Sequence, residues 1–94
     1  MTGEGMIKVT VKMYSLLQRE AGDSEIEVCM KEGIRLEKLL EKLCDKYGRK
    51  FKNILYNNEG RLNMLCLING KKAELEETLK NGDRVVLMFP AGGG

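Results

Sequence analysis

Leu36, Leu39, Leu40, Leu43, Cys44 and Tyr47 fall at i, i+3, i+4, i+7, i+8 and i+11, one unbroken apolar stripe down the side of a helix of about three turns. Gly48 follows where a C-terminal cap belongs. The other regular stretches are short and read mainly as strands. Ile7, Val9, Val11 and Met13 alternate with Lys8, Thr10 and Lys12, and Ile26, Val28 and Met30 alternate from Glu25 onward, the period-two pattern of strands with one covered face. A chain of 94 residues is one domain, near the size at which about 60–65% of the unfolded surface is buried. One long helix and several short strands leave one economical solution: the helix lies across one face of a small sheet. The stripe itself is core, with no cofactor role.

The remaining segments fill in that sheet. Ser15-Leu16-Leu17-Gln18 has the Ser-x-x-Gln form of a capping box and predicts a short helical turn before Gly22-Asp23 reverses the chain. Arg49 to Gly60 reads as a loop, with Asn57-Asn58-Glu59-Gly60 as its turn cluster. Met64 to Ile68 is apolar throughout and ends in Asn69-Gly70, a strong hairpin signal before a short strand at Lys71 to Ala73. Leu75 to Leu79 reads as one helical turn, and Asn81-Gly82-Asp83 turns the chain into a last strand, Arg84 to Phe89. The division is an N-terminal extension over 1–5, a folded body over 6–89 and a C-terminal tail over 90–94, with no repeat or linker.

Strands apolar on both faces, in a sheet covered on one side, leave large side chains on the other. With Val85, Leu87, Cys66 and Ile68 toward the helix, Leu65, Leu67, Val86 and Met88 fall on the open face beside Lys8, Thr10 and Lys12. An apolar centre with basic neighbours fits a protein-docking patch. Packing against the Arg49–Gly60 loop or a second copy of the chain is the structural alternative.

Composition removes several function classes. The chain has no histidine, the commonest general base and metal ligand, and no tryptophan. Cys29, Cys44 and Cys66 are an odd set without a Cys-x-x-Cys pair, so neither a complete disulfide framework nor a metal site is indicated. Free, buried thiols in a reducing compartment are the expectation. Sixteen basic and fourteen acidic residues give a net charge of +2 with the signs interleaved, which is no nucleic-acid footprint; Arg49-Lys50-Phe51-Lys52 is a short solvated stretch. Met1-Thr2-Gly3-Glu4-Gly5 lacks the basic and apolar regions of a secretory signal, and no apolar run approaches the length of a membrane span. A soluble cytoplasmic protein that is not itself an enzyme is expected.

The last strand runs through Pro90 into Gly92-Gly93-Gly94. At roughly 7% average glycine usage, three terminal glycines arise by chance in well under 0.1% of chains. Such a tail carries no side chains and passes where no Cβ fits. Extended, Pro90 to Gly94 reaches about 17 Å, which brings the Gly94 carboxylate into a partner's buried pocket. Ordering each flexible residue costs about 1–2 kcal/mol, so the body must supply the docking energy.

Asn69-Gly70, Gly82-Asp83-x-Val85-x-x-x-x-Pro90 and the terminal Gly93-Gly94 resemble the β-grasp sulfur carriers, most closely the small subunit of molybdopterin synthase (MoaD-like), with the archaeal ubiquitin-like modifiers as near relatives. The resemblance spans Met6 to Gly94 in element order. It implies an α+β, ubiquitin-like β-grasp fold: a mixed sheet with one main helix packed on one face. It further implies that a ubiquitin-activating-type enzyme uses ATP to adenylate the carboxylate of Gly94, that a sulfur donor enzyme replaces AMP to leave a thiocarboxylate, and that Pro90, Gly92 and Gly93 thread the tail into the large synthase subunit. No bound cofactor or metal is expected. The same tail serves a ubiquitin-like modifier joined through Gly94 to target proteins, or a carrier for cysteine, tRNA thiolation or thiamine chemistry. Three departures stand out: Phe89-Pro90 where many relatives have Pro-Pro, a third glycine at Gly92, and Arg35 where a Ser or Thr helix cap is usual.

Overall fold

The structure, a computed structural model, describes residues 5–90. Strand β1 (Met6–Met13) leads to helix α1 (Ser15–Ala21) and strand β2 (Glu25–Lys31). Helices α2 (Leu36–Tyr47) and α3 (Arg49–Leu55) follow, then β3 (Leu65–Ile68), β4 (Lys71–Lys72) and β5 (Arg84–Met88). The five strands form one mixed sheet in the order β2-β1-β5-β3-β4, with β1 parallel to β5 and every other pair antiparallel. This is the expected β-grasp arrangement.

Side-chain alternation decides the two faces. Ile7, Val9, Val11 and Met13 of β1, Cys66 of β3, and Val85 and Leu87 of β5 are buried toward the helices. Leu36, Leu39, Leu40 and Leu43 of α2 meet them from the other side. Full burial of each such leucine contributes about 1.5–3 kcal/mol, so the expected stripe is the main weight on the sheet. The Gly48 N–H donates to the Cys44 carbonyl at 2.8 Å and closes α2 as expected of a cap. At Asn69 (φ 53°) and Gly70 (φ 86°) two successive left-handed residues make the tight β3–β4 turn.

The chain departs from the sequence-based expectations at four places. Arg49–Leu55 is a helix rather than a loop. Phe51, Ile54 and Leu55 recur at helical spacing, Phe51 and Leu55 are buried, and the Phe51 ring packs 5.0 Å from that of Tyr47. The helix sits against α1 and α2. The turn after it forms as expected, with Asn57 Oδ1 accepting from the N–H groups of Glu59 and Arg61.

Leu75–Leu79 is not helical. Its carbonyls are used elsewhere: those of Leu75 and Glu77 accept from the N–H groups of Glu37 and Leu36 at 3.0 and 2.9 Å. Arg35, at the N-cap, makes no side-chain cap, so this neighbouring segment satisfies two of the orphan donors of α2.

The Ser15 capping box does not form. Ser15 has φ 54° and lies inside α1, Tyr14 takes the cap position, and no side chain caps the helix. The strands β3, β4 and β5 are each one residue shorter than expected, without Met64, Ala73 and Phe89 respectively. At the opposite end of β1, the Gly5 carbonyl accepts from the Glu32 N–H, so this residue of the N-terminal extension carries a further rung of the β1–β2 ladder.

Candidate functional site

On the open face, Leu65 lies beside Met88 and Leu67 beside Val86, and on the other side of β5 Val86 lies beside Lys12. The four apolar residues are half-buried, screened by one another, while Cys66 and Val85 beneath them are closed off from water. Ile68, placed with the inner face, is half-buried as well because it lies at the end of β3. Helix α3 belongs to the helical layer, so the 49–60 segment does not cover this face through α3.

Lys12 and Lys8, both expected at this patch, are separated. Lys12 adjoins it directly and holds its ammonium 5.4 Å from the centre of the Tyr14 ring, a cation–π contact. Lys8 is four residues back, about 13 Å along the strand. It stands opposite Cys29, faces Glu27 at 3.7 Å, and its backbone bonds the Asn81 side chain and the Gly82 N–H.

One exposed aromatic residue extends the patch further: Tyr14 is 40% exposed. Met13 pairs with Leu87 in the parallel β1–β5 ladder, so Tyr14, one residue on, arrives at the end of the sheet where Met88 leads into Phe89 and Pro90. The signal for Tyr14 was present, since it continues the Lys8, Thr10, Lys12 parity by one more step. Pro90 is exposed at the strand's exit. Gly92, Gly93 and Gly94, expected to thread and to react, lie outside the described residues.

The start of β5 is fixed by a polar clasp. Asp83 is 8% exposed; its carboxylate accepts from Asn69 Nδ2 and from the Lys80 N–H, each at 2.8 Å. Asn69 Oδ1 accepts from the Arg84 N–H at 2.9 Å, and the Asn69 N–H donates to the Arg84 carbonyl at 2.8 Å. The Asp83 carbonyl accepts from Thr10 N–H at 3.0 Å. Asn69-Gly70 and Gly82-Asp83, far apart in sequence, thus bond to each other and set the register of β5 against both β1 and β3.

The thiols divide by position. Cys66 is buried, as its apolar run predicts, and burial pushes it up to about 11. Cys44 is half-buried and also raised by burial, against the opposing effect of Lys52. Cys29 is exposed, contrary to the expectation of buried thiols, because odd-numbered residues of β2 face away from the helices. Cys44 and Tyr56 line an open groove of about 850 Å³ between α2, α3 and the 57–60 turn. Burial raises the Tyr56 hydroxyl too, so neither group in this groove is an activated nucleophile. Among the described residues no set of three or more Cys, Asp or Glu side chains could hold a metal ion, and no helix is long and apolar enough to cross a membrane.

The ThiS family matches residues 11–94 of the sequence. The chain belongs to the ThiS family. This is a family of small, ubiquitin-like sulfur carriers, and the structural neighbours share the β-grasp fold. The fold resembles a putative molybdopterin converting factor subunit 1 from Pyrococcus furiosus, at 29% identity, TM-score 0.76, covering 90% of this chain and 99% of that one. Small archaeal modifier protein 1 from Methanosarcina acetivorans aligns at 27% identity and TM-score 0.78, covering 96% of this chain and 99% of that one. SAMP1 from Haloferax volcanii shares the fold at TM-score 0.80 and 24% identity, covering 93% of this chain and 99% of that one. No curated protein matches the sequence. In this ThiS-family chain, the paired segments that carried the sequence resemblance, Asn69-Gly70 and Gly82-Asp83, form the clasp, which is structural.

Proposed function

We propose that this chain is a sulfur carrier for molybdopterin biosynthesis, acting as a co-substrate of partner enzymes through the carboxylate of Gly94. The observation that carries the reading is the course of β5. Its start is clasped, its inner face is core, and its outer face, Val86 and Met88, forms the apolar patch with Leu65 and Leu67 immediately before Pro90. A partner that docks there holds the last residues at a defined place, which converts an encounter between termini and reagents into an oriented one.

In this reading a ubiquitin-activating-type enzyme docks on the patch and joins a Gly94 carboxylate oxygen to the α-phosphorus of ATP, with pyrophosphate leaving. Hydrosulfide, sulfur already at the sulfide level and supplied by a donor enzyme, then attacks the acyl carbon; the C–S bond forms, the C–O bond to AMP breaks, AMP leaves, and a thiocarboxylate remains after loss of the proton. The tail delivers that sulfur in the large subunit of molybdopterin synthase. The chain supplies a positioned terminus, and the reacting side chains belong to its partners. Its similarity to the Pyrococcus furiosus converting factor supports this acceptor.

The test is intact-mass spectrometry after incubation with ATP, a matched activating enzyme and a sulfur donor. The mass gain of oxygen replaced by sulfur, localised by fragmentation to Gly94 and so distinguished from methionine oxidation, is the expected result. An unchanged mass under conditions that load a known carrier overturns the reading. The likeness to small archaeal modifier protein 1 favours a second reading, conjugation of Gly94 to lysines of other proteins. Ladders of conjugates in the native host would support it, whereas a stable complex with a synthase large subunit supports the first.

A further inference from the structure

Strand β2 forms one edge of the sheet, and at seven residues it is the longer of the two edge strands, the other being β4 with two. The bonds flanking its ladder with β1 fix which backbone groups it leaves facing outward. Met13 N–H donates to the Ser24 carbonyl and Glu32 N–H to the Gly5 carbonyl. In an antiparallel ladder, residues alternate between exchanging both bonds with the neighbour and turning both groups away. The even-numbered Ile26, Val28 and Met30 therefore bond β1, and Glu25, Glu27, Cys29 and Lys31 turn their N–H and C=O groups outward, away from the sheet. Their side chains all lie on the open face, whereas Ile26 and Val28, on the helical side, stay half-buried at the rim of the core.

The sequence of this edge is complementary to itself. We propose that a second copy of this chain pairs with it, β2 against β2 in antiparallel orientation, with the two-fold axis through Val28. In that register Glu25 of each copy faces Lys31 of the other, Ile26 faces Met30, Glu27 faces Cys29 and Val28 faces Val28. All seven residues of the strand pair, both faces of the joined sheet stay continuous, and two opposite-charge pairs flank a centre in which Ile26, Val28 and Met30 meet on the helical side while each Glu27, opposite Cys29 on the open face, keeps Lys8 of its own copy at 3.7 Å. Glu25 already accepts from Arg84 Nη2 at 3.3 Å, and a carboxylate accepts from more than one cation.

The neighbouring registers that keep the same outward groups are worse. An axis through Glu27 sets the Glu27 carboxylates against each other. An axis through Cys29 sets Ile26 against Glu32 and leaves Glu25 opposite Gly33. The interface is isologous and closes on itself, so it yields a dimer with one ten-stranded sheet and no open-ended chain. It lies at the opposite edge from β3 and leaves the patch around Val86 and Met88 open in both copies. Dimer formation and tail chemistry are thus independent, and the failure of one does not bear on the other.

Sedimentation of the full chain tests this with two charge reversals, Glu25→Lys and Lys31→Glu. Each variant alone places like charges opposite each other twice across the axis. An equimolar mixture of the two restores both opposite-charge pairs. At one contact the two substituted side chains meet with opposite charge, and at the other the unchanged Lys31 of the first variant meets the unchanged Glu25 of the second. The expected result is twice the monomer mass for the natural chain at high protein concentration, monomer mass for each variant alone, and a return to dimer mass on mixing. Thermal melts confirm that both variants are folded. A natural chain that stays monomeric at millimolar concentration overturns the proposal. So do variants that remain dimeric alone, or a mixture that fails to recover the dimer.

Discussion

Replacing Asp83 with alanine tests whether the clasp holds β5 in register. The side chain is nearly buried and accepts two hydrogen bonds of 2.8 Å, from Asn69 Nδ2 and the Lys80 N–H. Bonds to a charged acceptor contribute about 1.5–3 kcal/mol each. Asn69 and Lys80 are both exposed and both bonds are part-buried, so water partly replaces each of them. The net loss is about 2–3 kcal/mol, shared between the two bonds. For a domain of this size that lowers Tm by about 10–20 °C. Urea denaturation of Asp83→Ala, Asn69→Gly and the double variant gives the coupling directly, and glycine at position 69 retains the left-handed backbone that the turn needs. A coupling of about 1–2 kcal/mol is expected. A loss below about 0.5 kcal/mol for Asp83→Ala, the range of ordinary surface substitutions, or a coupling near zero, would show that the clasp does not hold the strand. Position 83 is about 23 Å along the extended chain from Pro90, so sulfur loading per folded molecule should be unchanged.

Leu67→Asp and Met88→Asp should weaken binding to the activating enzyme more than tenfold, about 1.4 kcal/mol, with cooperative unfolding retained; calorimetric titration measures the first and a thermal melt the second, and loss of folding would mean that these side chains are needed inside. Tyr14→Ala should weaken the same complex without changing the fold, and an unaltered affinity would remove Tyr14 from the docking surface. One residue added after Gly94 should abolish thiocarboxylate formation at unchanged Tm, and normal loading of the extended chain would refute the terminus mechanism. The Tyr47 hydroxyl, pushed up to about 12 by burial and then by its bond to Asp23, is held neutral by the fold. Its stabilisation is complete below the ordinary tyrosine value near 10 and is lost as pH rises through 12. Cys66 acts in the same direction between 9 and about 11, so the readout is the difference between the natural chain and Tyr47→Phe, which should narrow across pH 10–12.

The sheet and its two faces were legible because alternation in a strand is a rigid geometric rule. Once Val85 and Leu87 are inside, Val86 and Met88 are outside. The same rule reaches Tyr14 and Cys29, which needed only one more step of counting along β1 and β2. Helix α3 was hidden for a different reason. Gly48 ends α2 and also precedes α3, and Arg49, Lys50 and Lys52 give the next turn a solvated look, so the three inward residues Phe51, Ile54 and Leu55 were outweighed by their neighbours. Leu75 to Leu79 misled through its apolar spacing, since nothing within that segment records that its carbonyls cap a helix about forty positions earlier. The clasp had the same character: Asn69-Gly70 and Gly82-Asp83 were readable as turns, but their bond to each other is a tertiary contact.

Strand β5 joins these features. Its inner residues Val85 and Leu87 are core, its first residue is bonded to Asn69, and its outer residues lie beside Leu65, Leu67 and Lys12. Because the inner and outer side chains alternate, the two sets can change separately: substitutions at Val86 and Met88 alter what a partner meets, while those at Val85 and Leu87 open cavities costing about 2–5 kcal/mol for a large-to-small change. The exit is constrained as well, since Met88 is paired with Leu65 and Pro90 has a fixed φ. On the proposed function, a partner seated on the outer face would receive the chain at Pro90 from one direction, with affinity supplied by the body, reach by the tail, and the geometry between them set by one five-residue strand.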